Sequence, residues 1–148
     1  MLEEICAADP CLWYSVHDLK HVPQPRTYDS LREIREMGKY DPSLLIGADQ
    51  LMNMASGWLH VPEIAREFGI VCLTRSAVSI QAVLSSSDFY KDIAPYVQVV
   101  EAPNTYRWIS STDARASLRI IEERFASLRK VLPAPVYDYI KENYLYET

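Results

Sequence analysis

Residues 69–74 read GIVCLT. Ile70 to Leu73 form an unbroken apolar run with Gly69 before it and Thr74 after it. A strand with one wet face alternates apolar and polar residues, so a run apolar at every position predicts a strand covered on both sides. A second run of the same kind, SLLIG, occupies 43–47 and ends at Gly47. Two helical patterns lie between them. ADQLMNM continues from Gly47 with Asp49 near its start, and VPEIAREF (61–68) carries Pro62 in its first turn, where a missing N–H costs nothing. After GIVCLT come SDFYKDIAPY (87–96), read as a short helix, and YVQVVEA (96–102), read as a strand. Strands alternating with helices, with strand runs buried on both sides, predict an α/β fold built on a parallel sheet covered by helices. In such folds ligands sit at the carboxyl ends of the strands.

The flanks extend the pattern. Residues 2–8 read as the end of a helix, and LWYSV (12–16) as a strand rich in aromatic and β-branched residues. HVPQP (21–25) is a rigid loop, because proline and the residue before it leave helical geometry. TYDSLREIREM (27–37) reads as a helix. Thr27 is its candidate N-cap, Asp29 and Glu33 favour its early turns, and Leu31, Ile34 and Met37 give it an apolar stripe. From Ser111 a long helix follows, with Ala114, Leu118, Ile121, Phe125, Leu128 and Leu132 at spacings of three and four. Pro133 and Pro135 end it. PAPVYDYIKENYLY then gives a terminal helix with Val136, Tyr139 and Ile140 on one face. Repeats and low-complexity segments are absent.

Composition bounds the function. The chain has 148 residues, the size of one domain, and 49% of them are hydrophobic, enough for a core. Its formal net charge is −5 and no basic block occurs. This argues against non-specific nucleic-acid or anionic-membrane binding, which needs clustered Lys and Arg. No apolar run reaches the length of a bilayer span. The start MLEEICAADP is acidic and lacks the basic segment and apolar core of a signal peptide. Cys6, Cys11 and Cys72 show no metal-ligand pattern and are read as reduced, buried thiols of a cytoplasmic protein.

Two stretches carry candidate chemistry. ISSTDAR (109–115) stands at the mouth of the long helix. A helix N-terminus leaves backbone N–H groups unpaired and its dipole favours an anion. Ser110, Ser111 and Thr112 add hydroxyl donors, and Arg115, one turn on, can grip a phosphate with two N–H groups. Ordinary capping explains the same hydroxyls. In LLIGADQL, Gly47 lets a ligand approach the backbone at a strand's end, and Asp49 is placed to meet a ribose or a metal-bound phosphate or, alternatively, to cap the next helix. Trp58, after Gly57 in a break between helices, is either a core residue or a platform for a planar ring. His17, His21 and His60 show no metal spacing and support no catalytic triad, so they read as surface or capping residues.

Taken in order, RTYDSL, LLIGADQL with Trp58 downstream, IVCLTR, ISSTDAR and VLPAPVYDYIKENYLY resemble the bacterial nicotinate-nucleotide adenylyltransferases of NAD biosynthesis. The resemblance runs through essentially the whole chain. It implies a Rossmann-like nucleotidyltransferase fold, with residues 1–148 as one partial domain that lacks the family's first strands. It implies transfer of the AMP unit of ATP, with Mg²⁺, to the phosphate of nicotinate mononucleotide, releasing deamido-NAD and pyrophosphate. The mononucleotide's phosphate is the nucleophile, so no protein nucleophile is needed. Carried over by position, Gly47, Asp49, Ser110, Ser111, Thr112 and Arg115 fall on the ATP-binding positions. Thr27 and Trp58 fall on the positions that receive the nicotinate carboxylate and stack on its ring.

The chain departs from the family pattern in several places. The family's HxGH histidine motif is absent, so no catalytic residue and no protein metal ligand are assigned. Arg26 stands where the family has Tyr, Leu59 where Tyr is common, Ser76-Ala77 where it has Pro-Gly, and Ala114 where it has Ile. The expectation is therefore an impaired enzyme or, alternatively, a non-catalytic remnant that binds nucleotide or a partner, as a homo-oligomer or with a strand donated by another chain.

Overall fold

Among the described residues, strand β2 (Ile70–Thr74) lies at the centre of a three-stranded sheet, between β1 (Leu44–Gly47) and β3 (Val97–Glu101). Both pairings are parallel. Leu44 pairs with Ile70 and Ile46 with Cys72 on one side, and Ile70 pairs with Val97 and Thr74 with Glu101 on the other. The strand order in space is the strand order in the chain. The structure is a computed structural model and describes residues 1–74, 79–103, 112 and 132–146. The chain forms two compact units, Met1–His17 with Ile109–Thr148, and Asp18–Trp108. The sheet belongs to the second. The parallel α/β reading is borne out, in a form consistent with a Rossmann-like nucleotidyltransferase.

In that unit the crossover from β1 to β2 runs through α4 (Ala48–Gly57) and α5 (Val61–Phe68). The return to β3 runs through α6 (Ile80–Leu84), α7 (Asp88–Ile93) and a 3₁₀ turn at Ala94–Tyr96. Helix α3 (Thr27–Glu36) and the short α2 (His17–Lys20) precede the sheet. The core is built from one side of each element. Ala48, Leu51 and Met54 come from α4, and Val61, Ile64, Ala65 and Phe68 from α5, each set spaced by three or four residues as a helical stripe requires. Ile46, Ile70 and Cys72 come from the sheet, and Leu31, Ile80, Leu84, Tyr90 and Ile93 complete the cluster.

Gly69 links α5 to β2 at φ +73°, a left-handed conformation that suits glycine, and its N–H closes α5 by donating to the Ala65 carbonyl. Two hydroxyls cap the later helices. Ser79 accepts the Ala82 N–H at the start of α6, and Ser87 the Tyr90 N–H at the start of α7.

Four expectations need correction. The strand runs are not buried on both faces. Ile46, Ile70 and Cys72 face the helices, whereas Leu45 on the opposite face is 61% exposed and Val100 is exposed as well. An apolar run reports two low-polarity faces, and in the described structure only one of them is fully covered. LWYSV does not form a strand; residues 12–16 have no regular structure and expose Leu12, Trp13, Tyr14 and Val16. β-propensity rewards fit to a sheet, and among the described strands none pairs with this segment. The pattern at 87–96 divides into α7 and the 3₁₀ turn, where Pro95 interrupts it. Of the cysteines, all free, only Cys72 is fully buried; Cys11 is exposed and Cys6 partly so.

In the first unit, α1 (Leu2–Ala8) packs on α8 (Ala134–Glu142). Val136 and Ile140 form its small core with Ile5, Leu132, Leu145 and Tyr146 around them. Val136 and Ile140 are buried as expected, but the third buried residue is Tyr137, and Tyr139 is only partly covered. Among the described residues no helix is long and apolar enough to cross a membrane.

Candidate functional site

Two segments far apart in sequence meet at a pocket of about 200 Å³ lined by Arg26, Thr27, Gly57, Trp58 and Leu59. The first wall is the start of α3. Its N-cap is Arg26, with extended backbone (φ −77°, ψ 155°) and no side-chain capping bond. Thr27 is therefore not the cap it was expected to be. The Ser30 N–H donates to the Arg26 carbonyl at 3.0 Å, so the helical ladder begins one residue earlier and Thr27 lies inside the first turn. The N–H groups of Thr27, Tyr28 and Asp29 precede the first residue with a partner in the ladder, as in any helix. They carry the positive end of the α3 dipole to this wall.

The second wall is the break between α4 and α5. Gly57 ends α4, and Trp58 turns away in extended geometry (φ −108°, ψ 141°) while its N–H still donates to Met54. The Trp58 side chain is half-buried and packs against the core, which leaves part of the ring for the pocket. His60 then caps α5 in the left-handed conformation, φ 60°, uncommon for a residue with a Cβ. Its ring stacks on Tyr28 at 5.3 Å and its Nδ1 lies 3.8 Å from Glu63.

Helices α3 and α5 are locked together behind the pocket. The Tyr28 hydroxyl donates to Glu67 at 2.7 Å, and this bond to a carboxylate raises the phenol above its ordinary range. Arg35 donates to the Glu67 carbonyl and lies over the Phe68 ring at 4.0 Å. The spacing between the two walls is thus set by side chains of α3 and α5. Such a pocket can receive an anion on the helix N-terminus and a planar ring on the indole. Its lining offers no group suited to general acid–base work at neutral pH, so its chemistry is binding.

The remaining predicted residues fall elsewhere. Gly47 closes β1 and is the N-cap of α4, and Asp49 stands exposed in the first turn of that helix. Asp49 is thus at the carboxyl end of the sheet, as expected, but it is not itself the cap. Burial of Cys72, and then the Asp49 carboxylate, push the Cys72 thiol above its ordinary range. Neither Gly47 nor Asp49 lines the pocket. Ser110, Ser111 and Arg115 lie outside the described residues; Thr112 is helical and exposed.

Reading the sequence for sites did not single out Gly57, and it treated Arg26 and Leu59 only as departures from a pattern. The available signal was adjacency to Thr27 and Trp58. A larger hollow of about 370 Å³ in the first unit is rimmed by Glu4, Asp138 and Glu142 and is unsuited to anions.

No protein-family model matches the chain. It is similar to a probable nicotinate-nucleotide adenylyltransferase of Carboxydothermus hydrogenoformans, with 30% identity over 122 residues. That match covers 81% of this chain and 57% of the relative. It is also similar to a nicotinamide/nicotinic acid mononucleotide adenylyltransferase of Arabidopsis thaliana, with 28% identity over 109 residues, 70% of this chain and 43% of the relative. The chain thus spans about half the length of the curated relatives it matches.

Proposed function

We propose that this chain belongs to the nicotinate-nucleotide adenylyltransferases and that the Arg26–Trp58 pocket is its acceptor site. The observation that carries this reading is the meeting of Thr27 and Trp58 in one pocket. One lies in the first turn of α3 and the other in the break between α4 and α5, and the family resemblance assigns both to the same ligand. The names of the two relatives agree with it. In this reading the pyridine ring of nicotinate mononucleotide lies on Trp58. Its carboxylate meets the N–H groups at the start of α3.

The mononucleotide's phosphate oxygen then attacks the α-phosphorus of ATP. A new phosphorus–oxygen bond forms, the bond to the bridging oxygen breaks, and pyrophosphate leaves. The protein's part is positioning of the two reactants and stabilisation of charge on the phosphoryl oxygens. Gly47 and Asp49, with Ser110, Ser111, Thr112 and Arg115, are assigned to ATP. Mg²⁺ bound to the phosphates of ATP would supply charge neutralisation there. Among the described residues no cluster of three or more His, Cys, Asp or Glu side chains is placed to hold a metal. No step is therefore assigned to a protein-bound ion.

Calorimetric titration of the purified chain with nicotinate mononucleotide tests the acceptor site. The wild type is expected to bind, and Trp58→Ala to bind about tenfold more weakly, the order expected for a lost ring stack and its buried area. Absence of binding, or equal binding by the variant, refutes the assignment. Addition of Mg-ATP with a pyrophosphate assay tests the transfer step in the same sample. Binding without pyrophosphate release would place the transfer machinery outside this chain and keep the acceptor site.

A further inference from the structure

We propose that the Tyr28–His60 stack is a clasp that fixes the width of the pocket, with His60 as the positioning residue for Trp58. The clasp stands on contacts within the chain; its consequence for affinity rests on the acceptor-site reading above. Tyr28 follows Thr27 in the chain, and His60 follows Leu59. Thr27 lines one wall of the pocket and Leu59 the other. The stack therefore joins the two walls one residue behind their lining.

Tyr28 is a fixed support. Its hydroxyl donates to Glu67 at 2.7 Å, and its ring meets Phe68 edge-on at 6.0 Å. Both partners stand at the end of α5, so these contacts hold α3 on α5 and do not reach the break between α4 and α5. That break is held by His60. Its ring lies on the Tyr28 ring at 5.3 Å with 28° between the planes, and its Nδ1 lies 3.8 Å from Glu63.

The backbone of His60 points the same way. A helix N-cap usually has extended backbone and a short side chain that accepts a first-turn N–H. His60 has φ 60° and ψ 27° and makes no side-chain capping bond. Its carbonyl accepts the Ile64 N–H at 2.8 Å, and Val61 beside it is buried, so the start of α5 is fixed there. A residue with a Cβ stays in the left-handed region where its surroundings over-determine it, and such residues gather at ligand clamps. Gly or Asn would adopt this backbone with less strain, but neither has a ring to lay on Tyr28. The position thus trades backbone comfort for a contact that draws the Trp58 segment toward α3.

The test compares the wild type with His60→Gly, His60→Asn and His60→Phe. Gly and Asn suit the backbone and lack the clasp; Phe keeps a ring and the strain. Stability is read as the urea midpoint. Order at Trp58 is read by fluorine NMR of chain labelled with 5-fluorotryptophan, in which the three tryptophans give separate lines and Trp58→Phe identifies the one from Trp58. Affinity is read by calorimetric titration with nicotinate mononucleotide. In the Gly and Asn variants the midpoint is expected to equal or exceed that of the wild type. Their Trp58 line is nevertheless expected to broaden or split, and their affinity to fall about three- to tenfold, the range set by the loss of one aromatic pair. His60→Phe is expected to lower the midpoint and keep both the narrow line and the affinity.

A stack that serves stability alone would lower the midpoint of the Gly and Asn variants and leave the Trp58 line and the affinity as they are. An unchanged Trp58 line in those two variants overturns the proposal whatever their stability. If the wild type binds no mononucleotide while the Trp58 line responds as expected, the acceptor-site reading falls and the clasp stands.

Discussion

Replacing Tyr90 with phenylalanine removes one oxygen atom from the core and leaves the ring. Tyr90 is 7% exposed, and its ring meets Phe89 edge-on at 5.1 Å. Its hydroxyl donates to two carbonyls of α4, Leu51 at 3.0 Å and Met52 at 2.8 Å. A hydroxyl has one proton, so the two contacts share one donor and count as a single bond. Both carbonyls belong to an α-helix and keep their place in its ladder, so the substitution leaves no orphaned buried acceptor.

The expected loss is therefore about 1 kcal/mol, the net worth of one hydrogen bond, and not the larger penalty of an unpaired polar group. Tyr90→Leu also removes the ring and opens a cavity, and should cost about 3 kcal/mol. Urea unfolding followed by circular dichroism measures both, with a lower midpoint and an unchanged slope expected for Tyr90→Phe. A Tyr90→Phe variant as stable as the wild type would show that the tether between α7 and α4 contributes nothing. A loss as large as that of Tyr90→Leu would show that the hydroxyl, and not the ring, organises the contact.

The remaining predictions concern the pocket floor and the thiols. A Cβ built on Gly57 meets nothing within 4 Å, so Gly57→Ala should raise stability by about 0.5–1 kcal/mol in thermal or urea unfolding; a loss would mean that the end of α4 does not have the described backbone. Native protein treated with iodoacetamide at pH 8 should be alkylated at exposed Cys11 well before buried Cys72, as read by peptide mass spectrometry. Because folding raises the Cys72 thiol above its ordinary value of 9.0, its contribution is whole below that pH and is lost as pH rises through the folded value. Stability should fall on the alkaline side, and Cys72→Ala should flatten that arm of the profile. Tyr28, raised by its bond to Glu67, contributes in the same direction and is left in place by this variant.

The parts of the fold that could be read from the sequence are those where local pattern and tertiary packing agree. VPEIAREF gives α5 at its observed limits because Pro62, the apolar stripe and Gly69 all mark the same segment. SLLIG and GIVCLT give β1 and β2 because strand-forming residues end there at a turn. LWYSV has comparable propensity and forms no strand, since pairing is decided by a neighbour that propensity does not specify. The difference between the two sheet faces was hidden for a related reason. Hydrophobicity states what a face prefers, and coverage depends on which elements reach it.

At the candidate site, Thr27 and Trp58 were legible only through the family pattern. Their meeting depends on the Tyr28–His60 stack and the Tyr28–Glu67 bond, contacts between residues 32 and 39 positions apart that periodicity does not register. Arg26 looked like a departure until it was found to line the same pocket as Thr27 and Trp58.

The agreement between strand order in space and strand order in the chain has a consequence for biosynthesis. β1 can pair with β2 once α4 and α5 have been made, and β3 adds later to the free edge of β2. No described strand must be inserted between two that have already paired. A chain emerging from the ribosome at about 5–20 residues per second can therefore add each crossover to a finished surface. The long-range contacts that slow the folding of parallel sheets are then met one at a time, in the order of synthesis.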